Sequence, residues 1–501
     1  MDIKIVIKQQ SLNINRNKLL INRFVWILII FCSAVLFTSS IFRAATFPFT
    51  CDESLSYAII NWQPDWGYTA NNHLLNTFFM WVCSILFGNS ELSLRLPNVL
   101  AHAIYLICGM LIIKRLQNTI LRIAGFVMIN LNLFLLDFFF LARGYGLALA
   151  FEMLSIYLLI RTFEERKQVN FKKYLYLSVF LGSLAVLANF AFLNYYIPLI
   201  ITSGIHIILN KSKNQIYRQW VIEILAFITA NVIFLSCIIF MLIKLQQGGE
   251  LYFGGKNNFI NDTVASLLQA SLYSTINYSQ LTVQILLAII IGLFCILLLL
   301  GFYFCLRKNI STFVLFLFIF LIAVLMPILE HNLFHILFPI ERTALYYIPL
   351  FMIILIFAFN SLYQLVNHQI SRYLLLIIPT LIIIILGTYF CKGFNLHFCY
   401  SWGYDRHDNE IFAIINQDRI QNNPGKIVKL GNSWYLEPSL NYYRITRNYK
   451  WLAPITREQI SRESDDYIYA NNTEIRDWPS SSYIILDSYS DTQTILLRVN
   501  H

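Results

Sequence analysis

Residues 24–57 read FVWILIIFCSAVLFTSSIFRAATFPFTCDESLSY: an apolar run from Phe24 to Phe42, a single cation at Arg43, then two adjacent acids, Asp52 and Glu53. An α-helix rises about 1.5 Å per residue, so about 20 apolar residues cross a bilayer's hydrocarbon layer. The run therefore reads as a membrane span with the acids just beyond its outer end. A basic, polar start (Lys4, Lys8, Arg16, Lys18, Arg23) precedes it. The run is long for a signal-peptide core and ends in Ile-Phe-Arg without a small-residue cleavage pattern, so it reads as a retained anchor.

The same texture continues along the 501-residue chain, which is 57% hydrophobic and 13% charged, with mean hydropathy +0.60. Soluble domains average about 45–50% apolar and about 25% charged residues. That contrast excludes an ordinary soluble enzyme, a disordered protein and a disulfide scaffold. Further spans are expected near 97–113, 123–139, 145–160, 174–188, 190–209, 221–243, 281–305, 312–329, 344–359 and 373–390. The fold class is thus an all-α polytopic membrane protein of about 11 transmembrane helices.

With the N-terminus cytoplasmic, the inner loops hold nineteen Lys/Arg and the short outer segments six. This is the asymmetry of the positive-inside rule. The formal +10 divides into +16 on the inner loops, −1 on residues 391–501 and −5 elsewhere. The charge is a topology signal, and no nucleic-acid partner is expected. Residues 1–390 form the transmembrane domain, with a long first outer loop at 43–96. Residues 391–501 are turn-rich, with strand-like runs at 426–430, 483–487 and 494–499 and a helix near 434–444. They read as a small extracytoplasmic α+β domain. Cys391 and Cys399 fall on the oxidising side, where they either pair or stay free. No internal repeat is visible, which weighs against the alternative of a transporter or lipid flippase.

The chemistry-bearing residues gather in three outer loops. Asp52 at the mouth of a span suits a general base, with Glu53 coupling to it; the simpler reading makes Asp52 the N-cap of the following helix. The same loop carries Asn71-Asn72-His73 and then an apolar stretch, Leu74–Phe87, too short to span and suited to the membrane interface. In the second loop, Asp137, Arg143 and Tyr145 lie among aromatics, where charges face a cavity or each other; a structural Asp137–Arg143 pair is the plain alternative. Glu152 lies deeper in the same span. In the third, His331 and His335 are four apart, a metal-ligand spacing, although interfacial histidines are commonly just hydrogen-bonded. Glu341-Arg342 follows, and its guanidinium suits a phosphate, either of a lipid headgroup or of a lipid-linked substrate.

Taken in order, Asp52-Glu53-Ser54 with Tyr57, Asn72-His73-Leu74-Leu75-Asn76-Thr77, the run from Phe87 to Pro97, Ala142-Arg143-Gly144-Tyr145-Gly146-Leu147 and Glu341-Arg342-Thr343 with Pro349 resemble the GT-C superfamily of membrane glycosyltransferases. The likeness is to the bacterial branch with protein O-mannosyltransferases and aminoarabinose transferases, and it covers about residues 20–360. The pattern departs at Leu74, where many relatives have Pro, and no DxD occurs near Asp137.

The resemblance implies an inverting transfer of a sugar from a polyprenyl-phosphate-linked donor to an acceptor hydroxyl. It leaves the acceptor open among a lipid-linked glycan, a lipid A-like lipid, a teichoic polymer and a protein, and it implies the outer face of the bacterial cytoplasmic membrane as the place. It implies Asp52 as base with Glu53 orienting it, and Asn72, His73, Asp137, Arg143, Tyr145, Glu341 and Arg342 as substrate-binding candidates. No cofactor is demanded; a divalent metal is left open, with His331 and His335 as its candidates.

Overall fold

In a computed structural model the chain is described over residues 3–164, 171–211, 216–273, 278–308, 311–422 and 424–500. Arg166, Lys167 and Lys213, counted among the inner-loop cations, lie outside these residues. The first half of the chain forms α1 (Ile3–Thr46), α2 (Cys51–Asn61), α3 (Leu74–Phe87), α4 (Glu91–Ile113), α5 (Thr119–Asn130), α6 (Leu133–Asp137), α7 (Gly144–Glu164) and α8 (Phe171–Ala188). There follow α9 (Leu193–Leu209), α10 (Tyr217–Gln247), α11 (Ala265–Ser271), α12 (Gln280–Leu306), α13 (Thr312–Phe334), α14 (Tyr347–Leu365) and α15 (Gln369–Gly393). Nine helical segments among the described residues are long and apolar enough to cross a membrane: α1 from Leu19, α4, α7, the run Phe190–Leu209 containing α9, α10, and α12 to α15.

Two of the eleven expected spans are not among these nine. The one at 174–188 is nonetheless a single continuous helix, α8, of 18 residues. The one at 123–139 is not continuous. Asn130 turns its amide back to the Phe126 carbonyl (2.9 Å) and Asn132 accepts from Leu135 N–H (3.0 Å), so one helix ends and another is capped within three residues. Asn favours caps over helix interiors for this reason. The break leaves Leu133–Asp137 and the turn after it fully buried, at the foot of the first outer loop.

α3 is 14 residues long as expected, and it exposes Phe78, Trp81, Ile85, Leu86 and Phe87. Beyond α15 the chain folds into α16 (Ile411–Asn422), β1 (Leu430–Asn432), α17 (Glu437–Thr446), β2 (Tyr467–Asn471), β3 (Tyr483–Tyr489) and β4 (Thr494–Val499). The sheet order is β1-β2-β4-β3, with β1 parallel to β2 and the other pairs antiparallel. The central strand β2 escapes a reading by alternation because four of its five residues are buried, on both faces of the sheet. Cys391 and Cys399 are both free thiols. α17 packs on α2, joining this C-terminal unit to the first outer loop.

Candidate functional site

The site is built outward from the first turn of α2. Thr50 caps it: its hydroxyl accepts from Glu53 N–H (3.4 Å), and the Glu53 carboxylate accepts from Thr50 N–H (2.9 Å), a reciprocal capping box. Asp52 is therefore not the N-cap. Glu53 is turned inward and fully buried, where it accepts two 2.7 Å hydrogen bonds from Arg95 Nε and Nη2 and one of 2.5 Å from Ala142 N–H. Asp52, one residue earlier and about 100° around the helix, faces elsewhere. Its Oδ1 accepts from Asn71 Nδ2 (3.3 Å). Among the described residues its Oδ2 has no hydrogen-bond partner, and it lies 3.5 Å from Arg143 Nη2 and 4.0 Å from Arg342 Nη2.

Arg143 is aimed by backbone. It donates to the carbonyls of Asp52 (3.1 Å) and Asn71 (3.0 Å) and to the Asn71 side chain. The glycines around it are dictated by crowding. A Cβ on Gly144 would run into the Ala188 carbonyl and sit 2.8 Å from His73 Cβ; one on Gly146 would run into the Phe138 carbonyl. Asn76 donates to the Ala142 carbonyl (2.8 Å) and accepts from Asn98 (2.7 Å), which in turn accepts from Leu147 N–H (3.1 Å). Gly144→Ala is expected to destabilise the fold by about 1–3 kcal/mol or more, because backbone cannot yield as a side chain can. Thermal unfolding of the purified full-length protein reads this directly.

Arg342 arrives on a second pair of loops. Gly255 and Phe338 exchange two 2.9 Å backbone hydrogen bonds, which places Phe253 against the Arg342 guanidinium at 4.7 Å; Trp402 of the C-terminal unit lies at 5.1 Å. Aromatic faces hold a cation in this way without consuming its N–H donors. Glu341 has φ +44 and donates its N–H to Ser266 Oγ (3.0 Å); burial raises its carboxyl above the ordinary value, opposed by Arg342. His73 stacks edge-on to Tyr145 (5.0 Å), and burial, then Arg143 and Arg342, push its imidazole well below the usual value. It is a neutral ring at pH 7, with Nε2 unpartnered among the described residues. Asn72 is engaged locally, donating to the Gly67 carbonyl (2.8 Å) and accepting from Thr77 (2.7 Å).

The loops that carry Phe253 and Arg342 also supply Asn257, Asn258 and Phe338 to the wall of a largely apolar cavity of about 1370 Å³. Deeper down, Phe294, Phe320 and Phe351 of α12, α13 and α14 line it.

Four sequence candidates lie apart from this cluster. Asp137 does not pair with Arg143: its Oδ1 binds Arg43 Nη2 (2.7 Å) and the Tyr273 hydroxyl (2.7 Å), and its Oδ2 binds Tyr400 N–H (2.9 Å). It ties the end of α1 to the C-terminal unit. His331 faces the Ile336 carbonyl (2.9 Å) and stacks on Phe338, and His335 ends α13 in a left-handed conformation (φ +56). Among the described residues no group of three or more His, Cys, Asp or Glu is arranged to hold a metal. Glu152 is fully buried in α7, and neither of its carboxylate oxygens has a partner among the described residues.

The site residues that the sequence does not single out as candidates are Asn71, Arg95, Trp402 and Asp405. The Thr50-x-x-Glu53 spacing was a legible signal for the cap, and hence for which acid stays free. Nothing local marks Trp402 or Asp405, which reach the site from some 350 residues away along the chain.

No family model matches the chain, and no curated protein does. Among solved structures it is similar to ArnT from Cupriavidus metallidurans in the apo state, with TM-score 0.52 and 9% identity over 94% of this chain and 97% of that one. At that identity the likeness is one of fold, and it extends over nearly the whole of both chains.

Proposed function

We propose that the protein is a membrane glycosyltransferase of the GT-C type, moving a sugar from a polyprenyl-phosphate-linked donor to an acceptor hydroxyl. One observation carries the reading: a carboxylate oxygen on Asp52, without a hydrogen-bond donor among the described residues, faces two fixed guanidiniums beside a largely apolar cavity. The fold shared with ArnT supports it.

In this reading the acceptor oxygen attacks the anomeric carbon as its proton passes to Asp52. The bond from that carbon to the phosphate oxygen breaks, and polyprenyl phosphate leaves with the electron pair. A single displacement inverts the anomeric centre. Arg342 and Arg143 meet the phosphate, whose charge grows as it leaves, and so stabilise the transition state more than the ground state. Glu53 does not touch substrate; with Arg95 it fixes the helix that presents Asp52. The apolar cavity takes the lipid tail. The N-terminus is cytoplasmic and the C-terminal unit extracytoplasmic, which a reporter fused after Phe390 tests: a cytoplasmic signal there overturns the topology.

The activity is tested by supplying membranes containing the protein with labelled sugars on polyprenyl phosphate. Appearance of free polyprenyl phosphate together with labelled acceptor supports transfer, and movement of intact donor across the bilayer without bond cleavage supports a flippase instead. Arg342→Gln is expected to raise the donor KM at least about tenfold, the effect of losing a charge-assisted contact to phosphate. An unchanged KM removes Arg342 from the phosphate site.

A further inference from the structure

The C-terminal unit grips the chain that leads into α2 at successive points. Phe49 N–H donates to the Tyr443 hydroxyl (2.7 Å), and the Phe49 ring stacks on Tyr442 at 4.2 Å. Two residues on, Cys51 N–H donates to Asp405 Oδ2 (2.8 Å). Cys51 is the first residue of α2, so this carboxylate answers one of the free N–H groups at the helix start, next to the residue read as the base. Asp405 is itself fully buried beside a second buried acid, Asp408, which accepts from the Ser439 hydroxyl; among the described residues Asp405 Oδ1 and Asp408 Oδ1 have no hydrogen-bond partner.

Two buried carboxyls close together resist being charged at the same time. Burial, and then Asp408, raise the Asp405 carboxyl well above its ordinary value, and burial lifts Asp408 to about 7. The geometry needs one oxygen of Asp405 as acceptor, toward Cys51 N–H. Asparagine keeps that acceptor without a titratable proton; alanine and leucine do not.

We propose that Asp405 is a positioning residue: from the C-terminal unit it fixes the first turn of α2 and thereby holds Asp52 in register with Arg143 and Arg342. The inference rests on Asp52 as the base. It makes residues 399–410 part of the active site rather than an appended module, and the same segment brings Trp402 against Arg342.

The test uses the full-length protein in membranes and two readouts. The first is peptide-resolved N-ethylmaleimide labelling of Cys51, whose thiol is buried, with buried Cys108 as internal reference. Asp405→Ala and the shape-preserving Asp405→Leu are expected to speed Cys51 labelling about tenfold, as a local opening does, and to leave Cys108 unchanged. Asp405→Asn is expected to restore protection. The second readout is turnover of labelled polyprenyl-phosphate sugars: kcat should fall about tenfold in the apolar variants with little change in KM, and recover in Asp405→Asn.

Equal labelling in wild type and the apolar variants overturns the proposal. So does failure of Asn to rescue, and so does failure of both apolar variants to accumulate while Asp405→Asn does, since Asp405 is then a folding determinant. If wild type turns over none of the donors, the transferase reading falls and the positioning role with it. Labelling still reports, separately, whether Asp405 holds α2.

Discussion

Asp52→Asn is expected to lower sugar transfer by about two to four orders of magnitude, the range that a positioned general base contributes. Asparagine is nearly the same size, and its carbonyl can still accept from Asn71, so α2 and its cap stay as they are. What is lost is the proton acceptor on the oxygen that faces Arg143 and Arg342. The two guanidiniums then face an amide that offers N–H donors of its own, which adds a modest penalty in donor binding. A base therefore shows as a collapse of kcat with a small shift in KM, whereas a purely electrostatic clamp on the cations shows mainly in KM. Transfer at the wild-type rate by Asp52→Asn excludes the residue as base.

The second large effect is on stability. Glu53→Ala is expected to destabilise the protein by about 3–5 kcal/mol, because it strands a guanidinium in a water-free position. Both partners are fully buried. Arg95 divides its donors between Glu53 and the carbonyls of Ala44, Phe47 and Pro48, at 2.7–3.1 Å, so it cannot turn out to water without unpicking the link between α1 and α2. Arg95→Ala should cost a comparable amount, and the double variant less than the two together, since each single change leaves an unpaired charge that the double one removes. Thermal unfolding of the three variants in one detergent measures the coupling. Additive losses mean that the pair is not the unit described here.

The sequence makes the membrane architecture legible because a bilayer imposes a strict length and polarity filter that 18-residue apolar runs satisfy visibly. The broken element at 123–139 misleads that reading: its hydropathy is that of a span, and only the two asparagines at 130 and 132 divide it. The adjacent acids illustrate a second limit. Asp52 and Glu53 are equivalent by composition, and helix geometry sends one to Arg95 and the other to the cleft. The capping-box spacing from Thr50 to Glu53 carried that distinction locally. By contrast, Asp137 has an arginine six residues away, and it pairs with Arg43, 94 residues upstream, through packing that no spacing rule encodes. Asn71 rather than Asn72 meets Asp52 for a similar reason: neighbouring side chains on a tight loop diverge, and the sequence does not say which one points inward.

The hydrogen bonds made by Phe49 and Cys51 have a consequence in time. Their acceptors, Tyr443 and Asp405, lie 394 and 354 residues further along the chain. A ribosome adds about 5–20 residues per second, so the entrance to α2 waits tens of seconds after leaving the tunnel before its backbone finds those partners. During that interval the membrane helices insert and pack around an unfinished cleft. Asp52 reaches its final setting only once the C-terminal unit has been made and folded, so on the proposed function a partly synthesised chain in the membrane is a scaffold that does not yet act as a transferase.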